Sequence, residues 1–92
     1  DNDGWDDVVH IHYHFDDPGY VATVRIYDSR GRVIRHLVNN RTVGTEGFFT
    51  WDGLDEQRQK VNMGIYVIYV KVYHLEGMVR TYKASCVLAG KL

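Results

Sequence analysis

The fold of this chain is decided by the stretch Val24-Arg25-Ile26-Tyr27-Asp28-Ser29-Arg30-Gly31-Arg32-Val33. Val24 and Ile26 alternate with polar or amphipathic residues, which places them together on one face of a strand. Asp28 begins a turn, and Gly31 supplies the positive φ that a short hairpin connection needs. The stretch therefore predicts two antiparallel strands joined by a tight turn.

The composition extends this prediction to the whole chain. There are 13 Val, 7 Tyr, 5 Ile and 5 Thr against 3 Ala, and β-branched and aromatic side chains suit a pleated, half-buried surface. A length of 92 residues is enough for one hydrophobic core. We expect residues 1–92 to form a single β-sandwich domain. Because the sequence begins at Asp1 without Met or a signal peptide, we also expect it to be a segment of a larger protein.

Turn residues divide the chain into alternating segments. Predicted strands span residues 8–15, 20–27, 32–38, 48–51, 65–73 and 78–88, and a short edge strand is expected near Val61. In the last strand we expect Tyr82, Ala84, Cys86 and Leu88 to point inward. Turns recurring every 8 to 12 residues or so predict an all-β, immunoglobulin-like or fibronectin-III-like antiparallel sandwich of about seven strands.

Three groups of residues carry a family resemblance. The hairpin from Val24 to Val33, Gly47 with Trp51-Asp52-Gly53, and the triplet Gly64-Ile65-Tyr66 resemble the immunoglobulin-like domain of the flagellar hook-capping, FlgD-type family. The whole chain also resembles C-terminal modules of large secreted or surface proteins of gliding-type Gram-negative bacteria, some with a lamin-tail domain upstream. The resemblance implies an extracellular or cell-surface location. A glycine often stands in that family where this chain has Arg58.

The residues that carry the resemblance have roles in folding. Trp51 is a large apolar anchor whose indole N–H needs a partner when buried, and the pair after it ends the strand. None of these residues performs a reaction. The residues with predicted structural roles are Val24, Ile26, Asp28, Gly31, Trp51, Asp52, Gly53, Gly64 and Tyr66.

The acidic opening of the chain is the first candidate site. Carboxylates around Gly4 could wrap a hard cation, since Ca²⁺ takes 6 to 8 oxygen ligands, although the spacing is not that of an EF-hand. The alternative is a solvated segment whose side chains accept local backbone hydrogen bonds. Both interpretations stay open, and calcium is the one possible cofactor. The candidate ligands are Asp1, Asp3, Asp6 and Asp7.

A second candidate is the polar face of the first strand. His10, His12 and His14 recur at every other position, so neighbours lie about 6.5 to 7 Å apart along the strand. Such a pair can hold Zn²⁺ if a third ligand arrives from elsewhere, for example Asp16 or Asp17. The alternative is an exposed polar face opposite an apolar one, and the sequence does not decide between them.

Catalysis and nucleic-acid binding are not expected. Cys86 is the lone cysteine, so no intrachain disulfide can form, and the motifs of hydrolases, metalloproteases and phosphate loops are missing from the sequence. The net charge is −1, which draws the chain neither to nucleic acid nor to anionic lipid. The longest apolar run, Ile65 to Val70, is too short to span a bilayer.

Three hypotheses of function remain. The first is a non-catalytic spacer, adhesion or assembly module, whose partners are upstream domains of the parent protein or surface or secretion components, with the loop Leu54 to Val61 as the first candidate contact. The second is a C-terminal sorting domain of the type IX secretion pathway, which the chain also resembles; there Lys83, Lys91 and the end Gly90 to Leu92 would matter. The third is a calcium- or zinc-binding module.

Overall fold

The computed structural model describes the backbone of residues 9–88 and the side chains of residues 9–83. Within this range the chain is all-β and antiparallel, and its strands form two sheets, ordered β1-β4 and β3-β2-β5-β6. The predicted all-β sandwich is confirmed, with six strands in the described range where about seven were expected. The strands are β1 (Val9–His14), β2 (Tyr20–Asp28), β3 (Val33–Val43), β4 (Glu46–Trp51), β5 (Gly64–His74) and β6 (Val79–Leu88).

The strand expected near Val61 does not form. A single bridge joins Leu54 to Lys60, and between them the carboxylate of Asp55 accepts the N–H groups of Gln57 and Gln59 at 2.9 and 3.0 Å. A side chain that caps its own backbone in this way competes with strand pairing. The segment is therefore a tight turn instead of an edge strand.

Strand β3 runs farther than the sequence suggested. The prediction ended this strand at residue 38, before two asparagines, yet β3 continues to Val43. Asn40 takes a φ of 50°, and its N–H donates to the Thr23 hydroxyl at 3.1 Å. The β2–β3 register shifts at this point. The asparagine pair thus forms a β-bulge, a conformation that Asn tolerates because its short polar side chain visits the left-handed region.

The core lies between the two sheets. Its largest fully buried side chains are Trp51, Ile26 and Val24, and burying a side chain of this kind stabilises the fold by about 1.5–3 kcal/mol. Trp51 meets the ring of Tyr66 edge to face at 5.4 Å between centroids, which joins β4 to β5. The buried cluster comprises Tyr20, Ala22, Val24, Ile26, Val38, Val43, Phe49, Trp51, Tyr66, Ile68 and Val72.

The smaller sheet covers the larger one unevenly. The guanidinium of Arg41 on β3 lies 5.5 Å from the ring centre of Phe49 on β4, so β4 sits on the β3 side. Tyr82 on β6 pairs with Val70 and shares its inward face, but it is 49% exposed. Tyr82 thus faces inward as predicted, yet it stays exposed because the inner face of β6 extends beyond the two strands of the smaller sheet that are described.

Candidate functional site

The outer face of β1 and β4 carries a row of aromatic rings. The pairing of β1 with β4 sets His12 opposite Phe48 and His10 opposite Thr50. The ring of Phe48 lies 5.3 Å from that of His10 and 5.4 Å from that of His12. Nδ1 of His10 is 3.1 Å from the Thr50 hydroxyl. Phe48 is 55% exposed, so this face is an accessible aromatic and imidazole surface.

Of the two metal predictions, the zinc site at the histidines falls on this surface and the calcium site at the acidic opening does not. His10, His12 and His14 share the outer face of β1, and the rings of the first two lie 6.3 Å apart. Within the part of the chain that the structure describes, no three His, Cys, Asp or Glu side chains gather closely enough to hold a metal ion. A zinc site at these histidines stays a prediction. The predicted calcium ligands Asp1, Asp3, Asp6 and Asp7 lie outside the described residues.

An apolar groove of about 540 Å³ opens on the inner side of β1. Its walls come from the inward side chains of β1 and from β2, β5 and β6. Tyr82 stands at the β6 wall, and Val70 and Ile68 form the floor. No Asp or Glu lines the groove among the described residues. The lining is Val9, His10, Ile11, His12, Tyr13, His14, Phe15, Ala22, Phe49, Ile68, Val70, Val72, Tyr82 and Lys83.

The loop from Leu54 to Val61, predicted as a partner contact, is anchored to the core. The indole N–H of Trp51 donates to the carbonyl of Leu54 at 3.0 Å, which gives the buried indole the partner it requires. Arg35 on β3 donates to the same carbonyl at 3.2 Å. The side chain of Asp52 accepts the N–H of Leu54 at 3.1 Å. The base of the loop is thereby fixed, while residues 56–60 are exposed.

The turn between β2 and β3 is organised by one carboxylate. Asp28 accepts the backbone N–H groups of Arg30 and Arg32, both at 2.9 Å, and the Nε–H of Arg32 at 2.8 Å. The backbone N–H of Arg32, followed by the side-chain contacts with the same residue, lowers the pKa of Asp28 below its ordinary value of 3.8. Gly31 has a φ of 85°. The carboxylate and this glycine shape the hairpin without forming a binding site.

Most of the arginines that concentrate positive charge on β2 and β3 have partners within the chain. Arg25 lies 5.9 Å from the ring centre of Tyr69, Arg32 pairs with Asp28, and Arg35 lies 3.8 Å from Asp52. Through these contacts, the charged arginine side chains hold neighbouring strands and turns together.

The residues raised for export lie toward the end of the chain. Lys83 pairs with Tyr69 across β5 and β6. Cys86 pairs with Tyr66, but its side chain lies outside the description. Lys91 and Gly90 to Leu92 also lie outside the described residues. The sorting hypothesis therefore stays a prediction.

Sequence reasoning missed the groove beside β1. The alternation of β1 correctly separated an apolar from a polar face, but alternation does not show how many strands flank a given strand. One signal could have indicated the groove. The inward-facing side chains of β6, which include Tyr82, add to the inner surface of the larger sheet, and only two strands are available to cover that surface.

A comparison with protein families agrees with this architecture. The family model of the FlgD Ig-like domain matches residues 3–75. The chain belongs to the FlgD Ig-like domain family. In this FlgD Ig-like domain the match includes β1 to β4 entirely and reaches the end of β5, so the resemblance carried by the hairpin and the Trp51 triplet is confirmed. No curated protein matches the sequence. Among the described residues there is no helix with the length and apolar character to cross a membrane.

Proposed function

We propose that this chain is a non-catalytic Ig-like module of a secreted or cell-surface bacterial protein, where it acts as a spacer, adhesion or assembly element. The observation that carries the proposal is the lining of the groove. Its inner walls are apolar, and the imidazoles of His10, His12 and His14 stand on the outer face of β1. General acid–base catalysis requires titratable groups that converge on one bound substrate, and no such convergence exists among residues 9–83.

The family and the core support the same role. Ig-like domains of this kind are typically non-catalytic. A continuous core joins both sheets through Trp51 and Tyr66, and such a sandwich holds its loops and strand edges in fixed positions for contact with other proteins. The module is therefore suited to connecting parts of the parent protein and to presenting contact surfaces. Its strand edges are the places to look for partners.

The location can be tested by labelling the parent protein in cells. Gln57 is exposed in the anchored loop, so a Gln57→Cys variant should react with a membrane-impermeant maleimide in intact cells as fully as after lysis. The matched control is Ala22→Cys, because Ala22 is 0% exposed and should stay unlabelled in the folded module. The unmodified parent gives the background from its native cysteines. Labelling of Gln57→Cys only after lysis would reject the surface location.

A domain exchange separates a passive spacer from an assembly element. If the module only sets distance, an unrelated Ig-like sandwich in its place should leave surface display and the parent's activity unchanged. If it binds a partner, display should persist while assembly or adhesion is lost. If the exchange abolished a chemical reaction, and the isolated module restored that reaction in solution, the non-catalytic role would be contradicted.

A further inference from the structure

The outer face of the larger sheet, opposite the core, holds a cleft of about 380 Å³. Outward side chains of three neighbouring strands border it, namely Tyr27 on β2, Val67 and Tyr69 on β5 and Lys83 on β6. The turn between β2 and β3 closes one end. This outer cleft lies on the other side of the sheet from the apolar groove, and its lining combines aromatic rings with a charged group.

Two tyrosine rings form a right-angled corner in the outer cleft. The ring centroids of Tyr27 and Tyr69 lie 6.2 Å apart, and the ring planes meet at 88°. Both residues are half-buried, so the sheet supports the rings while part of each stays accessible. Val67 pairs with Tyr27 across the strands and adds an apolar surface beside the corner. The corner therefore suits a ligand with a ring-shaped, partly apolar body.

Three cationic side chains surround Tyr69 on this face. Arg25 and Lys83 pair with Tyr69 from the two neighbouring strands, and directly opposite residues share a face of the sheet. The guanidinium of Arg25 lies 5.9 Å from the ring centre of Tyr69. Lys71 lies two residues farther along β5, about 6.5 Å away on the same face. All three side chains are charged at neutral pH, since lysine and arginine lose their protons only above about pH 10.

The positive charge around Tyr69 is not neutralised by the described part of the chain. No carboxylate of residues 9–83 forms an ion pair with Arg25, Lys71 or Lys83. Asp28, which borders the outer cleft at the turn, is 2.8 Å from the Nε of Arg32 and is thereby paired. The cleft has cations to spare, and complementary charge favours a ligand that carries a negative group.

A sugar acid combines the two features that the outer cleft requires. The faces of a pyranose ring present C–H groups, which the negative π-face of a tyrosine attracts, and a carboxylate on the ring can reach the surrounding cations. An acidic peptide side chain has the charge without the ring. A nucleic acid has both, but it is bound mainly through many phosphate contacts, which a chain with a net charge of −1 does not favour.

We propose that the outer cleft binds an acidic sugar residue of a polysaccharide. The pyranose ring packs against Tyr27 and Tyr69, and its carboxylate lies among Arg25, Lys71 and Lys83. The inference rests on the proposed adhesion role and names the class of ligand through which that role is carried out.

The test titrates the full chain with a tetramer of glucuronic acid, followed by NMR. The ring signals of Tyr27 and Tyr69 and the side-chain signals of Lys83 should shift. The matched control is the glucose tetramer of the same linkage, which differs only in having hydroxymethyl groups in place of carboxylates. It should bind at least about tenfold more weakly. Raising the salt concentration should also weaken the acidic tetramer, because salt screens exposed charges.

Two variants on β6 test the contribution of charge. Lys83→Gln removes a cation from the outer cleft and should weaken the acidic tetramer about three- to fivefold. Arg80→Gln lowers the net charge equally, but Arg80 pairs with Val72 and stands on the inner face of the same strand. Its affinity should stay near that of the natural chain. Equal weakening by the two variants would reject a site at the outer cleft.

Two variants at Tyr69 test the contribution of the ring. Tyr69→Phe keeps the aromatic face and should change the affinity less than about twofold, whereas Tyr69→Leu removes it and should weaken binding about fivefold. Circular dichroism checks that both variants are folded. If the two variants bound equally well, the sugar ring would not pack against Tyr69.

Three other results would overturn the proposal. A tetramer of glutamate that binds as tightly as the acidic sugar would mean that charge alone is recognised. Tighter binding of a thymidine tetranucleotide would assign the cleft to nucleic acid. Shifts at the inner groove, with Tyr27 and Tyr69 unchanged, would place the ligand elsewhere. A failed titration leaves the labelling experiment on cells unaffected, so the two proposals fail separately.

Discussion

Two turns of this domain have the same backbone hydrogen bonds but different residues at the critical position. In the first, the N–H of Gly31 donates to the carbonyl of Asp28 at 3.0 Å. In the second, the N–H of Arg58 donates to the carbonyl of Asp55, also at 3.0 Å. Each aspartate also caps its own turn through its side chain. The fourth residue has a φ of 85° in the glycine turn and 65° in the arginine turn.

The difference lies in what surrounds each turn. The side-chain hydrogen bonds of the Asp28 turn stay within residues 28–32. The Asp55 turn is held from outside by the indole of Trp51, by Arg35 and by the carboxylate of Glu56, which accepts the N–H of His36. A left-handed residue other than glycine persists where its surroundings fix it. The glycine turn needs no such support, and the arginine turn depends on it.

The largest expected effect comes from removing the anchor of the arginine turn. Trp51→Ala should lower the free energy of unfolding by about 3–5 kcal/mol, because a fully buried aromatic side chain leaves a cavity. It also removes one of the two side-chain donors to the Leu54 carbonyl, so tryptic cleavage after Arg58 should accelerate. Urea unfolding and limited proteolysis measure the two effects. The control Tyr82→Ala, at an exposed position, should lower the free energy of unfolding by about 0.5 kcal/mol. Equal losses in the two variants would show that the covered part of the larger sheet, at Trp51, and its uncovered part, at Tyr82, do not differ.

The second prediction gives the unsupported turn a side chain. Gly31→Val should destabilise the domain by about 1–2 kcal/mol, because an L-residue pays for the left-handed conformation. A Cβ at Gly31 meets nothing within 4 Å, so the cost is conformational. Gly44→Val is the matched control, since its Cβ site is also open and its φ is not positive. If urea unfolding gave both variants the same loss, backbone conformation would not explain the role of Gly31.

The third prediction relieves the supported turn. Arg58→Gly should raise the free energy of unfolding by about 0.5–1 kcal/mol, because relief of the left-handed conformation exceeds the extra chain entropy of glycine. Gln57→Gly, one residue earlier and without positive φ, should lower it by a similar amount. A loss of stability in Arg58→Gly would mean that the arginine side chain contributes more than its backbone conformation costs.

The strands of this domain and the faces of those strands follow from local sequence patterns. The residues that depart from those patterns do so because of tertiary contacts. Alternation predicted the apolar and polar faces of β1. Thr23 alternates with the inward residues Ala22 and Val24, yet it too is buried, because β2 lies between β3 and β5 and the Asn40 bulge packs against it. Arg58 at a glycine-favouring turn is possible through contacts from Trp51 and β3 that sequence spacing does not show.

The candidate surface was only partly predictable for the same reason. The row of histidines on β1 is visible in the sequence as a polar face. Whether β1 is a central or an edge strand depends on sheet order, which sequence alternation does not encode. The exposure of Tyr82 likewise depends on how far the smaller sheet reaches across the larger one.

The smallest expected effect concerns the charge in the glycine turn. The pKa of Asp28 is lowered below 3.8, chiefly by the backbone N–H of Arg32. A carboxyl with a lower pKa in the folded state stabilises the fold above its unfolded pKa and loses that contribution as pH falls through its folded pKa. The melting temperature of the natural domain should therefore exceed that of Asp28→Asn near neutral pH, and the gap should close as the pH falls below 3.8.

A second variant separates the two kinds of contact on this carboxylate. Arg32→Gln removes the guanidinium, which is 2.8 Å from Oδ2 of Asp28, but keeps the backbone N–H that has the largest influence on the pKa. Melting curves of Arg32→Gln should therefore retain most of the acid dependence that Asp28→Asn loses. If Arg32→Gln instead removed that dependence entirely, the side-chain ion pair would be its source. The Asp28 turn would then depend on a charged partner, much as the Asp55 turn depends on Trp51.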